Sequence, residues 1–336
     1  MRLVWSKIFF LFFLLLFAAC RKNKEGSSEP APASLTPYSM QLPSYFPQMV
    51  IPENNPLTLE GIDLGRKLYY DTLLSNNGKS CSSCHIPNYS FSSPVVNSMP
   101  HLNLGFAQNF LWNGKVSGTV EDIMLFEVDE FFNTDISKLN NSSLYRDLFK
   151  KIYKIDNITS HDVARALSQF IRVMVSQNSK FDKYLRHELD LNTPELRGFI
   201  IFNTEKGDCF HCHSIGLMTD NRFHNIGIDS IFSGVNLGRY NITGLSSDIG
   251  LFKSPTLRNV ELTAPYMHDG RFATLEDVVE HYNSGVKLSN TLDPIMTKPT
   301  KQFGLQLSAQ DKLDLVAFLK TLTDTTFTKN MMFQKQ

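Results

Sequence analysis

Two five-residue stretches limit what this chain can become. Cys81-Ser82-Ser83-Cys84-His85 and Cys209-Phe210-His211-Cys212-His213 both read C-x-x-C-H. Two thiols three positions apart can each add across a vinyl group of a porphyrin, and the His that follows can lie under its iron. This is the attachment signal for c-type haem. A zinc or redox pair is the alternative for a lone Cys-x-x-Cys. The His directly after each pair, with no further Cys-rich knuckle, argues against it. The expected cofactors are therefore two covalently bound haems c, held by Cys81, Cys84 and His85 and by Cys209, Cys212 and His213.

The fifth and last cysteine, Cys20, follows an export signal. Arg2 and Lys7 form a basic start, and Ile8 to Ala19 is an apolar run too short for a comfortable membrane span. It ends Phe17-Ala18-Ala19-Cys20, which resembles a lipoprotein cleavage site with Cys20 as the lipidated first residue. A plain signal peptide cut near Ala19 is the other reading. Either exports the chain, and the expected location is the periplasm, anchored to a membrane through Cys20. One Cys for lipid and four for haem leave none for a disulfide. That agrees with haem attachment outside the cytoplasm. Formal net charge is zero and no basic stripe stands out, so no nucleic-acid partner is expected.

The rest of the chain divides around the two signals. Residues 1–19 are the signal peptide, and 20–50, rich in Ser, Pro, Ala, Glu and Lys, read as a flexible tether. Residues 51–185 and 186–336 then read as two similar haem domains. Thr58 caps a helix with Leu59, Ile62, Arg66 and Tyr69 at helical spacing, and Gly61 and Gly65 on it allow close approach of another helix. Ser160 caps an amphipathic helix that closes the first domain. Thr193-Pro194-Glu195 opens the second, and Ser308 with Asp311 caps its closing helix. The expected fold is mainly α: two tandem c-type cytochrome domains with haem between helices and little strand.

Longer motifs in the second half narrow the reading. Lys253-Ser254-Pro255-Thr256-Leu257-Arg258-Asn259-Val260 is followed by Ala264-Pro265-Tyr266-Met267-His268-Asp269-Gly270-Arg271 and by Leu275-Glu276-Asp277-Val278-Val279-Glu280-His281-Tyr282. With the two haem signals, these resemble the bacterial di-haem cytochrome c peroxidase family, including the MauG-type enzymes. The resemblance covers roughly residues 51 to 325 and is most specific in the second half.

The resemblance implies an enzyme that reduces hydrogen peroxide at the His85 haem, with electrons from an external donor such as a small cytochrome c. MauG-like oxidation of a protein substrate, or a non-catalytic electron carrier or redox sensor, are the alternatives. It implies a catalytic Glu some twenty residues after the Trp of a motif that here reads Leu111-Trp112-Asn113-Gly114-Lys115. Glu130 fits if the connection is two residues shorter, with Glu127 as the other candidate, and Asp122 falls where some members place a distal Gln. Trp112 would relay electrons between the haems. Counting fourteen from His268 reaches Tyr282, the expected sixth ligand of the His213 iron, with Met267 competing. A calcium ion between the haems would take Thr263, Pro265 and Asn97. Arg239 and Arg258 would meet haem propionates, while His224 and His268 would support the pocket. His101, sixteen residues past His85, is a possible distal ligand, but a first haem without one is the favoured reading. A homodimer is common in the family.

Overall fold

The computed structural model describes residues 34–297 and 304–336. The export signal, Cys20 and most of the expected tether lie outside them. Among the described residues the chain is helical, with only two pairs of two-residue antiparallel strands, β1 (Asn109–Phe110) with β2 (Val116–Ser117) and β3 (Phe223–His224) with β4 (Phe252–Lys253). Among the described residues no helix is long and apolar enough to cross a membrane.

The helices begin where short polar side chains can satisfy open backbone amides. Helix α1 (Leu59–Tyr70) starts at Thr58, whose hydroxyl accepts from the Gly61 amide at 3.0 Å. Helix α2 (Val120–Phe126) starts on a reciprocal box of Thr119 and Asp122 and runs on into a π-helical turn, Glu127–Phe131. Two further helices, α3 (Ser137–Asn141) and α4 (Ser143–Tyr153), lead to α5 (Ser160–Val173). Thr159, not the expected Ser160, caps α5, because its hydroxyl is the one that reaches Asp162. The second half holds α6 (Lys180–Leu185), α7 (Thr193–Phe202), α8 (Tyr240–Thr243) and α9 (Leu275–Glu280). Helix α9 starts on a Thr274–Asp277 box and also ends in a π turn, His281–Gly285. Helix α10 (Ala309–Lys320) is capped by Ser308, and α11 (Thr325–Thr328) follows it.

Two helix crossings organise the core. Helix α1 crosses α5 at Gly65, where an added Cβ would come 2.1 Å from the Ala166 carbonyl oxygen. Helix α7 crosses α10 at Gly198, where it would come 1.9 Å from the Asp314 carbonyl oxygen. The crossings seed separate hydrophobic clusters, one around Leu64, Leu68, Phe149 and Phe170, the other around Phe181, Phe202, Leu315 and Phe318. Each such side chain contributes roughly 1.5–3 kcal/mol by leaving water. Helix α2 is fixed to α5 by a pairing of both Arg172 guanidinium nitrogens with Glu121.

The expected segment boundaries need two corrections. Residues 35–50 are not a tether. Pro37 bridges to Thr58, Phe46 is buried, and the Tyr45 hydroxyl donates to Asp182 at 2.9 Å. The segment's Ser/Pro composition conceals the few aromatic residues that anchor it. The division at 185/186 is also too simple. Phe181 already belongs to the second cluster, and the chain end returns to the first, where Phe327 and Phe333 pack with Phe91.

Candidate haem sites

Both C-x-x-C-H stretches fold into the same object. Cys81–Ser83 and Cys209–His211 each form one 3-10 turn. In each, the amides of the second Cys and of the His donate to the carbonyl of the first Cys. This tight turn brings both thiols and the imidazole to one side of the loop. His85 Nδ1 lies 2.9 Å from the Phe91 carbonyl and His213 Nδ1 lies 3.0 Å from the Met218 carbonyl. A proton on Nδ1 then makes the bond and leaves Nε2 with a lone pair for a metal. Burial favours that neutral form, pushing His85 down to about 4 and His213 below its usual value. The four thiols form no disulfide. This donor set fits two covalently held haems.

The second site is a cavity of about 220 Å3, walled by Cys209, Cys212, His213, Tyr282, Met267 and Trp112. Tyr282 projects from the π turn after α9. Burial raises its hydroxyl well above the usual tyrosine value, and the charges of Cys212 and Cys209 push the same way. Met267 shares the wall, so both expected sixth ligands reach this cavity. The neighbouring histidines are engaged elsewhere. His224 lies between Asp293 (2.6 Å) and Asp220 (2.9 Å); burial opposes its charge, yet these hydrogen bonds hold its pKa up to about 12. His268 stacks on Phe252 at 3.6 Å and bonds Asn236 through Nε2.

At the first site the two Glu candidates separate. Glu130 is exposed and pairs with Lys115 at 3.1 Å. The π turn rotates it outward to solvent. Glu127, three positions earlier, is half-buried, and burial pushes its carboxyl up to about 7. Its charge is felt at Cys81 and Tyr69, which places it on the haem-attachment side. Asp122 is occupied by the α2 cap, its carboxylate accepting from the Thr119 hydroxyl at 2.7 Å. His101 lies face to face with His85, ring centroids 3.4 Å apart at 13°. The His101 ring is therefore stacked on His85 rather than directed end-on at it. Its Nδ1 bonds the Tyr69 hydroxyl at 3.2 Å.

The arginines also separate. Arg258 is 2% exposed, gives both terminal nitrogens to Asp182 at 2.8 and 2.9 Å, and gives Nε to the Gly216 carbonyl. Three of its five N–H groups are thus engaged within the protein, which leaves Arg239 as the more available of the two arginines expected at propionates. Arg239 stacks over Phe223 at 4.0 Å beside Gly114, close to the Trp112 loop. Trp112 lines the second cavity, its carbonyl accepts from the Lys253 amide at 2.8 Å, and its Nε1 is buried without a partner. Asn97, Thr263 and Pro265 meet on the same wall, and the Asn97 amide donates to the Met267 carbonyl at 2.9 Å.

Residues 59–190 match the family model described as "Di-haem cytochrome c peroxidase". The methylamine utilization protein MauG of Methylophilus methylotrophus is 31% identical over 295 residues, 81% of this chain and 84% of that protein. The chain belongs to the di-haem cytochrome c peroxidase family. The cytochrome c551 peroxidase of Nitrosomonas europaea is 31% identical over 296 residues, 82% of each chain. A solved MauG-like protein associated with microbial copper homeostasis superposes with a TM-score of 0.81 at 30% identity, covering 88% of this chain and 99% of that one. As a family member the chain is a peroxidase, carrying two haems c and reducing hydrogen peroxide with electrons from a cytochrome or other protein partner.

Glu127 was discernible from an internal repeat. Thr119-Val120-Glu121-Asp122 matches Thr274-Leu275-Glu276-Asp277, and Glu127 then falls at the place of Tyr282. Counting from Trp112 admits both Glu130 and Glu127, and the repeat singles out Glu127.

Proposed function

We propose that peroxide is split at the His85 site with Glu127 as the proton carrier, and that the His213 site, closed by Tyr282, stores and passes electrons. The observation that carries this reading is Glu127 itself, a half-buried carboxyl with a pKa of about 7 beside Cys81. A bound haem supplies an iron that accepts one peroxide oxygen and exchanges electrons. The Glu127 carboxylate takes the proton from the inner oxygen of the peroxide and returns it to the outer oxygen, which departs as water. A group titrating near neutrality suits both transfers. His85 and His213, held by their Nδ1 bonds, keep their rings fixed during turnover. Trp112, on the wall of the second cavity, serves as the electron relay.

Tyr282 supports a second reading of the donor. An oxygen ligand favours oxidised iron, unlike a Met thioether, and this suits withdrawal of electrons from a side chain of a protein substrate. Met267 is the alternative sixth ligand. Arg239 is the more available arginine for a propionate. Asn97, with its amide nitrogen engaged, offers its oxygen with Thr263 and Pro265 to a calcium ion, a hard cation suited to oxygen ligands. Cys20 would anchor the exported protein in the periplasm.

Stopped-flow spectroscopy of the purified two-haem protein with hydrogen peroxide tests the assignment. A rapid spectral change without prior reduction is expected. A spectrum of two six-coordinate ferric haems that ignores peroxide would sink it.

A further inference from the structure

Lys253 is the one buried lysine whose ammonium has no hydrogen-bond or ion-pair partner among the described residues. It is 6% exposed and lies on the wall of the cavity that also holds Cys209, Cys212, His213 and Tyr282. Strand β4 carries it, and its backbone amide is tied to the Trp112 carbonyl. Burial pushes its amino group down to about 8, while the Asp220 carboxylate, too far for a contact, pulls the other way.

A cation removed from water needs a counter-charge, and the carboxylates of this wall are already taken. Asp220 accepts from His224 and from the Arg222 amide. Asp293 accepts from His224, and Asp229 from Arg271. Arg258, the lysine's neighbour in the motif, is spent on Asp182. Trp112 adds a second buried donor, its unpartnered Nε1. Two donors without a protein partner therefore stand at linked positions on this wall.

We propose that Lys253 binds a propionate carboxylate of the haem attached at Cys209 and Cys212, so that the carboxylate edge of that haem is turned toward Trp112. This rests on the reading of the cavity as a haem site. Lys253 is then a positioning residue whose charge acts on the iron through the macrocycle. A nearby positive charge disfavours the more positive ferric state, so removing it lowers the reduction potential.

The test is optical potentiometry of the two-haem protein, with haem content measured on the same samples by the pyridine haemochrome. Lys253→Met should keep two haems per chain, lower the midpoint potential of one haem and leave the other within error. Lys253→Arg should restore the potential. If Lys253→Met loads both haems and neither potential moves, the proposal is overturned. If Lys253→Met fails to fold, Lys253→Gln and Lys253→Arg carry the comparison, and equal potentials in those two overturn it. Absence of haem from the wild-type second site would instead overturn the reading of the cavity, a distinct result.

Discussion

Glu127 and Tyr282 occupy equivalent places in the two halves of the molecule. Each stands eight positions after a capping-box threonine, Thr119 or Thr274, in a π turn that prolongs a short helix. Such turns bulge one residue out of the helical register and recur at functional sites. In one half the bulged position presents a carboxyl toward Cys81, in the other a phenol toward Cys209 and Cys212. One scaffold thus sets a carboxyl at one haem-attachment site and a phenol at the other.

Glu127→Gln should therefore slow the reaction with peroxide by about 10²–10⁴-fold, the usual worth of a positioned acid–base group. Glu130→Gln, at an exposed residue paired only with Lys115, should stay within about twofold of the parent, since surface pairs contribute little. Rapid mixing with peroxide reads both. Equal loss in the two variants, or loss in Glu130→Gln alone, would reverse the assignment.

The pH dependence follows with a definite sign. Burial raises Glu127 to about 7, so the carboxylate that accepts the first peroxide proton is the minor form below that value. The rate of the peroxide step should rise with pH and reach half its limit near 7. In Glu127→Gln this inflection should vanish, leaving a flat residual rate. A wild-type profile that falls with pH over the same window would contradict the proton-acceptor role.

The haem signals, the main helix starts and the close approach at Gly65 were legible in the sequence because each depends on neighbours a few positions away, whereas the Gly198 crossing was not singled out. Thr58, Gly65 and Ser308 stand where their local patterns put them. What was not legible depends on residues far apart in sequence. The pairing of Arg258 with Asp182, 76 positions away, leaves no local sign in the sequence. His101 had ligand spacing, but its ring is laid flat on His85. Glu130 had tolerable spacing from Trp112, but a π turn adds a residue that ordinary helical counting omits. Tyr45 and Phe46 hid in a stretch with the composition of a linker.

Tyr282→Met tests the second site directly. A thioether favours ferrous iron and raises the potential, so one haem of the variant should be reduced at a higher potential than its counterpart in the parent, with a changed ferric spectrum. Tyr282→Phe should alter that spectrum too, either by leaving a position open or by letting Met267 enter. If neither substitution changes the spectrum, Met267 is the ligand and Met267→Leu will be the variant that does.

The Arg258–Asp182 pair should be structural rather than catalytic. Both groups are buried, at 2% and 0% side-chain exposure. Breaking such a pair leaves a lone buried charge and costs about 3–5 kcal/mol, so Arg258→Met and Asp182→Asn should each lower denaturant stability by that amount. The double variant should recover part of the loss. Burial alone would raise the Asp182 carboxyl, but the Arg258 and Ser179 hydrogen bonds hold it below the usual range. Its contribution is therefore complete above a pH of about 4, the unfolded value, and fades only as pH falls further. Equilibrium unfolding at several pH values measures this, and full stability in both single variants would show that the pair is dispensable.

The two helix crossings give the last expectation. Gly65→Ala and Gly198→Ala each gain about 1 kcal/mol of helix propensity. Against that gain stands a Cβ placed 2.1 Å from the Ala166 carbonyl oxygen or 1.9 Å from that of Asp314. These are backbone atoms and cannot swing away, so the helices must separate, with an overpacking cost of roughly 1–3 kcal/mol or more. The steric term wins, and both variants should unfold at lower denaturant concentration than the parent. Because each crossing belongs to its own hydrophobic cluster, the two losses should add within about 0.5 kcal/mol in the double variant. A stabilised Gly65→Ala or Gly198→Ala would mean that the helices stand further apart than described.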